Sequence, residues 1–205
     1  MILLHHLRVG RSVFTAWLLE ELGLDYDLKI YVRNDFGRAQ DDLKAAHPLG
    51  KSPVIEDGAI KLTESGAIAA YLIDTYDTDF TLAPPRDDAA RRAEWTQWLH
   101  YSEGSAFAPF LLKLLLTREQ EPKPPLIDMF TSGEVALHLG YLQSFLADKP
   151  FLLGDKLQAP DVGLTYIMEM AERLGELGPY PTLSAYLERN KARPAFQRAM
   201  ERTGG

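Results

Sequence analysis

The sequence predicts a small α/β domain followed by a larger all-helical domain (class α/β + all-α). Short apolar runs alternate with helical periodicity over roughly the first 80 residues, whereas nothing beyond residue 88 resembles a strand. A polar stretch with two consecutive prolines, residues 79–87, lies between the two parts and is typical of a linker. We therefore expect one domain at residues 1–78 and a second at residues 88–205, joined by residues 79–87.

In the first domain the predicted order is β-α-β-α-β-β-α. Strands are expected at Ile2–His5 and Tyr26–Val32, with a helix from Arg11 to Leu22 between them. A strand-helix-strand unit of this kind implies that the two strands are parallel. A brief helix is expected at residues 39–45, and a hairpin and a third helix over residues 53–74.

The second domain shows only helical periodicity. A long helix is expected at residues 89–116, with a bend between Gly104 and Pro109. Further helices are predicted at residues 127–147, from residue 160 onward, at 183–189 and at 194–201. Pro160 and Asp161 suit the first turn of their helix, and Gln158 stands where a capping residue is needed.

Composition excludes several classes of protein. The 22 basic and 29 acidic side chains give a net charge of −7, which argues against nucleic acid or an anionic membrane as the main partner. Because the chain has no cysteine, it has no disulfide, no thiolate metal site and no cysteine nucleophile. The N-terminal segment MILLHHLRVGR has only three apolar residues between Met1 and His5, too few for a signal-peptide core, so a cytoplasmic protein is expected.

The histidines do not predict a metal site. His5 and His6 are adjacent on a strand and therefore point to opposite faces of it. The other three, His47, His100 and His138, have no ligand spacing. We expect core or surface histidines and no bound metal.

The segment HPLGKSPVIEDGAIKLTESG, residues 47–66, combines a hairpin with the start of a helix. Glu56, Asp57 and Gly58 suit the hairpin turn, and Thr63 or Ser65 is expected to cap the helix. Glu64 and Ser65 fall where that helix presents free N–H groups, which favour anions. This pair is suited to the two charges of an amino-acid zwitterion.

These motifs together resemble the cytosolic glutathione transferase superfamily, in particular its bacterial and fungal members. LGKSPVIEDG followed by LTESGAIAAYL is similar to the glutathione-site signature, and TAWLLEELGLDYDL to the family's first helix and second strand. WTQWLHYSEGSAFAPFLL and YPTLSAYLERNKARPAFQRAM resemble its helical domain. The resemblance implies a thioredoxin-like N-terminal domain, a homodimer and a role in detoxification.

The resemblance also implies which residues bind glutathione. Pro53 matches a proline that the family holds in the cis form, and the backbone of Ser52 then pairs with the cysteinyl unit. Glu64 and Ser65 match the pair that binds the γ-glutamyl group, and Lys51 a position that pairs with the glycine carboxylate. Ordinary helix capping is the alternative explanation for Glu64 and Ser65.

The catalytic group of this family lies in the loop after the first strand, here HHLRVGRS. Gly10 falls where similar bacterial members have a serine, Ser12 matches a second serine, and Arg11 matches an arginine. Two hypotheses remain open for the group that holds the glutathione thiolate. It is either the Ser12 hydroxyl group or the backbone N–H groups of Gly10 and Arg11, with Arg11 adding positive charge. For Ser12 the alternative is a simple N-cap of the first helix.

The second substrate implied by the resemblance is a small hydrophobic electrophile, with glutathione as co-substrate and no other cofactor. Its pocket is expected where the loop after the first strand meets the long helix, near Trp98, Tyr101, Ser102, Ser105 and Phe107. An aromatic stripe at helical spacing is more often core, so only one or two of these side chains are expected to touch substrate. A glutathione-dependent peroxidase and a non-catalytic binding module with the same fold are the alternatives.

Overall fold

The protein forms two compact units in a computed structural model that describes residues 1–35 and 37–204. The first unit comprises residues 1–81 together with residues 191–205, and the second comprises residues 82–190. The boundaries that we expect at residues 78 and 88 stay predictions. The last helix, however, packs with the first unit, whereas the sequence groups it with the helical domain.

The first unit contains a four-stranded mixed sheet. Its strands are β1 (Ile2–Leu7), β2 (Tyr26–Tyr31), β3 (Val54–Asp57) and β4 (Ile60–Thr63). The sheet order is β2-β1-β3-β4, with β1 and β2 parallel and the other two neighbouring pairs antiparallel. The predicted parallel unit and the predicted hairpin are thereby confirmed, although β3 continues through Asp57, where the sequence suggests the turn.

Among the described residues of the first unit, three α-helices and a short 3-10 helix accompany the sheet. They are α1 (Ser12–Glu21), the 3-10 helix (Asp41–Ala45), α2 (Ser65–Tyr76) and α8 (Pro194–Thr203). Apolar side chains of α1 and α2 are buried, among them Trp17, Leu19 and Leu72. Every residue of α1 from Ser12 to Leu19 is buried, so this helix lies in the interior rather than packing by a single apolar face. The order of elements and the four-stranded sheet confirm a thioredoxin-like domain.

The second unit is helical. It contains α3 (Ala89–Tyr101), α4 (Phe107–Leu116), α5 (Pro125–Leu146), α6 (Ala159–Arg173) and α7 (Pro181–Lys191). A π-helical turn, Ser102–Ala106, separates α3 from α4 close to the predicted bend. Pro125 and Pro160 both lie at the start of their helices. The N–H group that proline lacks would have no partner within the helix at this position, so proline is tolerated there.

The start of α6 has the altered cap that the sequence predicts. The Asp161 carboxylate accepts hydrogen bonds from the Gln158 N–H at 2.8 Å and from the Leu152 N–H at 2.9 Å. The buried hydroxyl group of Tyr186 donates to the same carboxylate at 2.8 Å. Asp161 therefore joins the start of α6, the preceding connector and α7.

Membrane-spanning helices need about 20 apolar residues. Within residues 1–35 and 37–204, no helix combines the length and apolar character that crossing a membrane requires.

Candidate functional site

The candidate site in the first unit is built around the C-terminal end of β1 and the turn before β3. The peptide bond between Ser52 and Pro53 is cis, as the resemblance implies. The Ser52 hydroxyl group donates to the carbonyl oxygen of His5 at 2.8 Å and accepts from the Leu7 N–H at 3.1 Å. These two backbone groups lie on β1 next to its pairing with β3, so the Ser52 side chain ties the turn to the sheet.

The start of α2 forms the second part of the site. Glu64 occupies the N-cap position with a φ of 68°, and its exposed side chain makes no capping hydrogen bond with any described residue. The expected cap from Thr63 or Ser65 is therefore wrong, because the backbone turns at Glu64 and Ser65 is already the first helical residue. A positive φ at a glutamate is strained and typical of functional sites.

Positive charge gathers at the third part of the site. Partial burial lowers the pKa of Lys51, and the nearby charges of Arg38, Arg11 and Arg33 lower this pKa further. The sequence pointed to Lys51 and Arg11 but not to Arg33 and Arg38, which follow β2. Nothing in the local pattern distinguishes these two arginines from other surface arginines. Four cationic side chains in a protein of net charge −7 create a local field that attracts anions.

Ser12 lies in the interior. Its side chain is 0% exposed, and its hydroxyl oxygen is 2.8 Å from Nδ1 of His6, which is also 0% exposed. The Leu7 N–H also approaches this oxygen, at 3.3 Å. Because α1 begins at Ser12 and Arg11 occupies the N-cap position, the hydroxyl group does not cap the helix. It links β1 to α1 in the interior of the first unit.

Burial also sets the protonation of the two adjacent histidines. Desolvation lowers the pKa of His6 to about 4, against an opposing effect from the Thr203 backbone. Desolvation likewise lowers the pKa of His5, although Glu56 lies 3.3 Å from its Nε2 and favours the charged form. The Nδ1 atom of His5 is 2.7 Å from the Tyr31 hydroxyl group. Both imidazoles are therefore neutral parts of the core at neutral pH.

Gly10, which stands where similar bacterial proteins have a serine, has a steric explanation. A Cβ atom at this position would lie 2.8 Å from the carbonyl oxygen of Leu7 and 3.3 Å from Nη2 of Arg33. Real Cβ atoms do not approach a backbone oxygen so closely, so a serine would require the loop to move. Position 10 therefore offers only backbone groups, and no side chain, just before the start of α1.

The five residues predicted for the second-substrate pocket all lie in the second unit, on α3, the π-helical turn and the start of α4. Trp98 and Ser102 are buried there, and Trp98 packs edge-on against Tyr101 with ring centroids 5.1 Å apart. Tyr101 and Phe107 are half-buried and Ser105 is exposed. The Tyr101 hydroxyl group is 2.6 Å from Nδ1 of His138. The pocket itself stays a prediction.

Metal coordination finds no support in this region. Among the residues that the structure describes, no three His, Asp or Glu side chains are placed to hold a metal ion.

The fold defines the protein as one with a thioredoxin-like domain followed by a helical domain. Comparison with known proteins identifies the family within this class. Residues 1–74 match the family model "Glutathione S-transferase, N-terminal domain", and residues 110–201 match "Glutathione S-transferase, C-terminal domain". The chain therefore belongs to the cytosolic glutathione S-transferase superfamily.

Individual relatives agree with this assignment. The chain is 31% identical to Glutathione S-transferase 3 of Schizosaccharomyces pombe, over 98% of this chain and 88% of the relative. It is 33% identical to the glutathione S-transferase-like protein OpS6 of Beauveria bassiana, over 89% and 86%. A crystal structure of a glutathione S-transferase from Actinobacillus pleuropneumoniae superposes with a TM-score of 0.90 at 35% identity, covering 100% of this chain and 94% of that one.

Proposed function

We propose that this protein is a glutathione transferase, which binds glutathione in the first unit and conjugates the glutathione thiolate to hydrophobic electrophiles by forming a new bond from its sulfur. The observation that carries the proposal is the positive charge of Arg11, Arg33, Arg38 and Lys51 in an otherwise acidic protein. Glutathione has two carboxylates and one ammonium group at neutral pH, so its net charge is complementary to this set. No cofactor besides the co-substrate glutathione is needed for this reaction.

Glu64 and Ser65 suit the γ-glutamyl end of the ligand. The N-terminus of α2 attracts its carboxylate, and the exposed Glu64 carboxylate, which makes no cap, is available for its ammonium group. Lys51 suits the glycine carboxylate. Ser52, whose side chain is committed to β1, suits pairing of its backbone with the cysteinyl unit.

Reactivity requires a thiolate at neutral pH. A thiol with a pKa of ~8.5 becomes mostly ionised when its pKa falls by ~2 units, which needs about 2.7 kcal/mol of preferential stabilisation of the thiolate. The geometry favours the backbone N–H groups of Gly10 and Arg11 at the start of α1, because the Ser12 hydroxyl group is buried against His6. The Arg11 charge favours the same ionised form.

Calorimetry with glutathione and an aryl-halide conjugation assay test the proposal. Glu64→Gln removes the charge that faces the ligand's ammonium group and is expected to weaken glutathione binding about tenfold or more. Glu119→Gln, which changes an exposed glutamate beyond α4, is the matched control and should bind normally. A protein that neither binds glutathione nor conjugates aryl halides would contradict the proposal.

Ser12→Ala separates the two hypotheses for the thiolate. If backbone N–H groups hold the sulfur, the variant loses stability but keeps a thiolate absorbance near 240 nm on addition of glutathione at neutral pH. A thiol pKa raised by about one unit or more would instead assign the role to the hydroxyl group.

Two alternatives use the same site. A coupled assay with glutathione reductase and cumene hydroperoxide measures peroxidase activity, which depends on the same thiolate. A non-catalytic module would bind glutathione without producing the absorbance near 240 nm. A homodimer and a cytoplasmic location stay predictions, and sedimentation velocity tests the first.

A further inference from the structure

A side chain from a neighbouring loop holds the loop after β1. Arg33, just beyond β2, donates from Nε to the carbonyl oxygen of Arg8 at 3.1 Å and from Nη2 to that of Val9 at 2.8 Å. Its Nη1 donates to the carbonyl oxygen of Gly37 at 2.6 Å. The guanidinium group thus binds two consecutive carbonyl groups immediately before Gly10.

The backbone that Arg33 binds is in an unfavourable conformation. Val9 has a φ of 54°, which is an outlier for a β-branched residue. Gly10 follows in a space that has no room for a Cβ atom, partly because Nη2 of Arg33 occupies it. A strained segment persists only when surrounding contacts fix it. The two hydrogen bonds from Arg33 are contacts of this kind.

Arg33 is itself held by the structure of its own loop. It forms an isolated bridge with Ala39, and the Asn34 N–H donates to the carbonyl oxygen of Arg38 at 2.8 Å. The Gly37 N–H donates to the carbonyl oxygen of Asn34 at 2.9 Å. The planar guanidinium group matches two adjacent carbonyl groups, which the compact ammonium group of a lysine does not.

Peptide geometry connects this contact to the proposed chemistry. The carbonyl group of Val9 and the N–H group of Gly10 belong to one planar trans peptide and point in opposite directions. Fixing the Val9 oxygen on Arg33 therefore fixes the direction of the Gly10 N–H, away from the guanidinium group. We propose that Arg33 is a positioning residue that aims the Gly10 N–H at the sulfur of bound glutathione. This inference rests on the proposed function.

Arg33 carries a positive charge as well as orienting the Gly10 N–H group, so a test has to separate the effect of the charge from that of the hydrogen bonds. Its positive charge lowers the pKa of both Lys51 and His6, so its removal changes the local field as well as the loop. Arg38 belongs to the same loop and its charge also acts on Lys51. Arg38→Met therefore removes a comparable charge while keeping the Arg33 hydrogen bonds to Arg8 and Val9.

The test is the pKa of the enzyme-bound glutathione thiol, measured by the absorbance near 240 nm against pH. It is applied to the wild type and to Arg33→Met, Arg33→Lys and Arg38→Met. Both Arg33 variants are expected to raise this pKa by about one unit and to lower kcat about tenfold near neutral pH. The KM for glutathione should change less than kcat, and Arg38→Met should raise the thiol pKa by less than half as much.

Several outcomes would overturn the inference. A normal thiol pKa in Arg33→Lys would show that charge alone suffices, and equal effects of Arg33→Met and Arg38→Met would show the same. If an Arg33 variant melts below the assay temperature, NMR at a lower temperature tests the inference through the chemical shift of the Gly10 amide group. In the folded Arg33→Lys variant, its shift on adding glutathione should be much smaller than in the wild type, and an equal shift would contradict the proposal. A wild type without the thiolate absorbance would overturn the proposed function, and this inference with it.

Discussion

Single residues in the loop after β1 decide what the site presents to a ligand. Gly10 is glycine because the Leu7 oxygen occupies the place of a Cβ atom, and Ser12 faces inward to His6. The polar atoms left at the start of α1 are therefore mainly those of the backbone. The absence of a hydroxyl group at position 10 thus follows from the packing of this loop.

Gly10→Ala tests that packing. The added Cβ atom lies 2.8 Å from the Leu7 oxygen, so the loop must shift, and the free energy of unfolding should fall by about 1–3 kcal/mol. Under the proposed function, conjugation activity should fall more steeply, because the shift moves the N–H groups that are proposed to hold the sulfur. Denaturant unfolding and the aryl-halide assay measure the two effects.

Gly133→Ala is the matched control for this substitution. An added Cβ atom there meets no described atom within 4 Å, and Gly133 lies inside α5. Because alanine has the higher helix propensity, this variant should gain about 0.5–1 kcal/mol. Equal losses in the two variants would contradict the steric explanation of Gly10.

Among the elements, α8 has an unexpected neighbour, since it packs on α1. Glu20 on α1 accepts hydrogen bonds from Arg198 at 2.8 Å and from Arg202 at 3.0 Å, both on α8. Burial alone would raise the pKa of Glu20, but these bonds outweigh it and the pKa lies below its usual value. The C-terminal helix thereby supports the helix whose N-terminus forms part of the candidate site.

Glu20→Gln should reduce the free energy of unfolding by about 1–2 kcal/mol at neutral pH, because two arginines lose a largely buried carboxylate. Glu201→Gln removes an exposed carboxylate from α8 and should have little effect. Urea denaturation compares the two variants. A loss no larger than that of Glu201→Gln would mean that apolar packing alone attaches α8.

Within the helical unit, the Asp161 carboxylate at the start of α6 likewise connects separate elements. Asp161→Ala leaves the N–H groups of Leu152 and Gln158 without this acceptor, and the Tyr186 hydroxyl group keeps only the backbone carbonyl oxygen of residue 161 at 3.3 Å. We expect a loss of about 3–5 kcal/mol. Tyr186→Phe removes one of the three donors and should cost about 1–2 kcal/mol. Thermal unfolding ranks the variants, and the reverse order would contradict the assigned role of the carboxylate.

For the whole molecule, the buried histidines predict how stability depends on pH. Because the pKa of His6 falls from 6.5 to about 4 on folding, the unfolded chain takes up a proton first as the pH drops. The contribution of His6 to the free energy of unfolding is therefore complete above pH 6.5 and is lost progressively as the pH falls towards 4. Burial lowers the pKa of His5 and His138 as well, so they act in the same direction.

Unfolding free energies at pH 7.5 and pH 5 measure this dependence. His6 alone should account for a decrease of about 2 kcal/mol between them. His6→Gln should show a decrease smaller by that amount, whereas His100→Gln, at an exposed position on α3, should behave like the wild type. A decrease in His6→Gln equal to that of the wild type would show that His6 does not titrate as its burial requires.

The sequence by itself determined the elements and their order. Alternation in residues 26–31, helical spacing in residues 12–21 and the polar hairpin turn near Gly58 each act over a few neighbouring residues. The residue types that form these patterns also fix the local conformation. For the same reason the break between α3 and α4 and the anion-favouring start of α2 could be located from the sequence.

Only the tertiary structure decided which polar groups the site exposes. Ser12 turns inward to His6, Arg33 reaches the carbonyl oxygen of Arg8 from 25 residues away, and Arg193 reaches Glu21 from 172. Such contacts depend on the register of β1 with its neighbours and on where α8 packs, and no local periodicity records either. Lys51, Ser52, Pro53, Glu64 and Ser65, which the sequence predicts to bind glutathione, lie in one short segment, whereas the surroundings of Gly10 depend on Arg33 from a distant part of the chain.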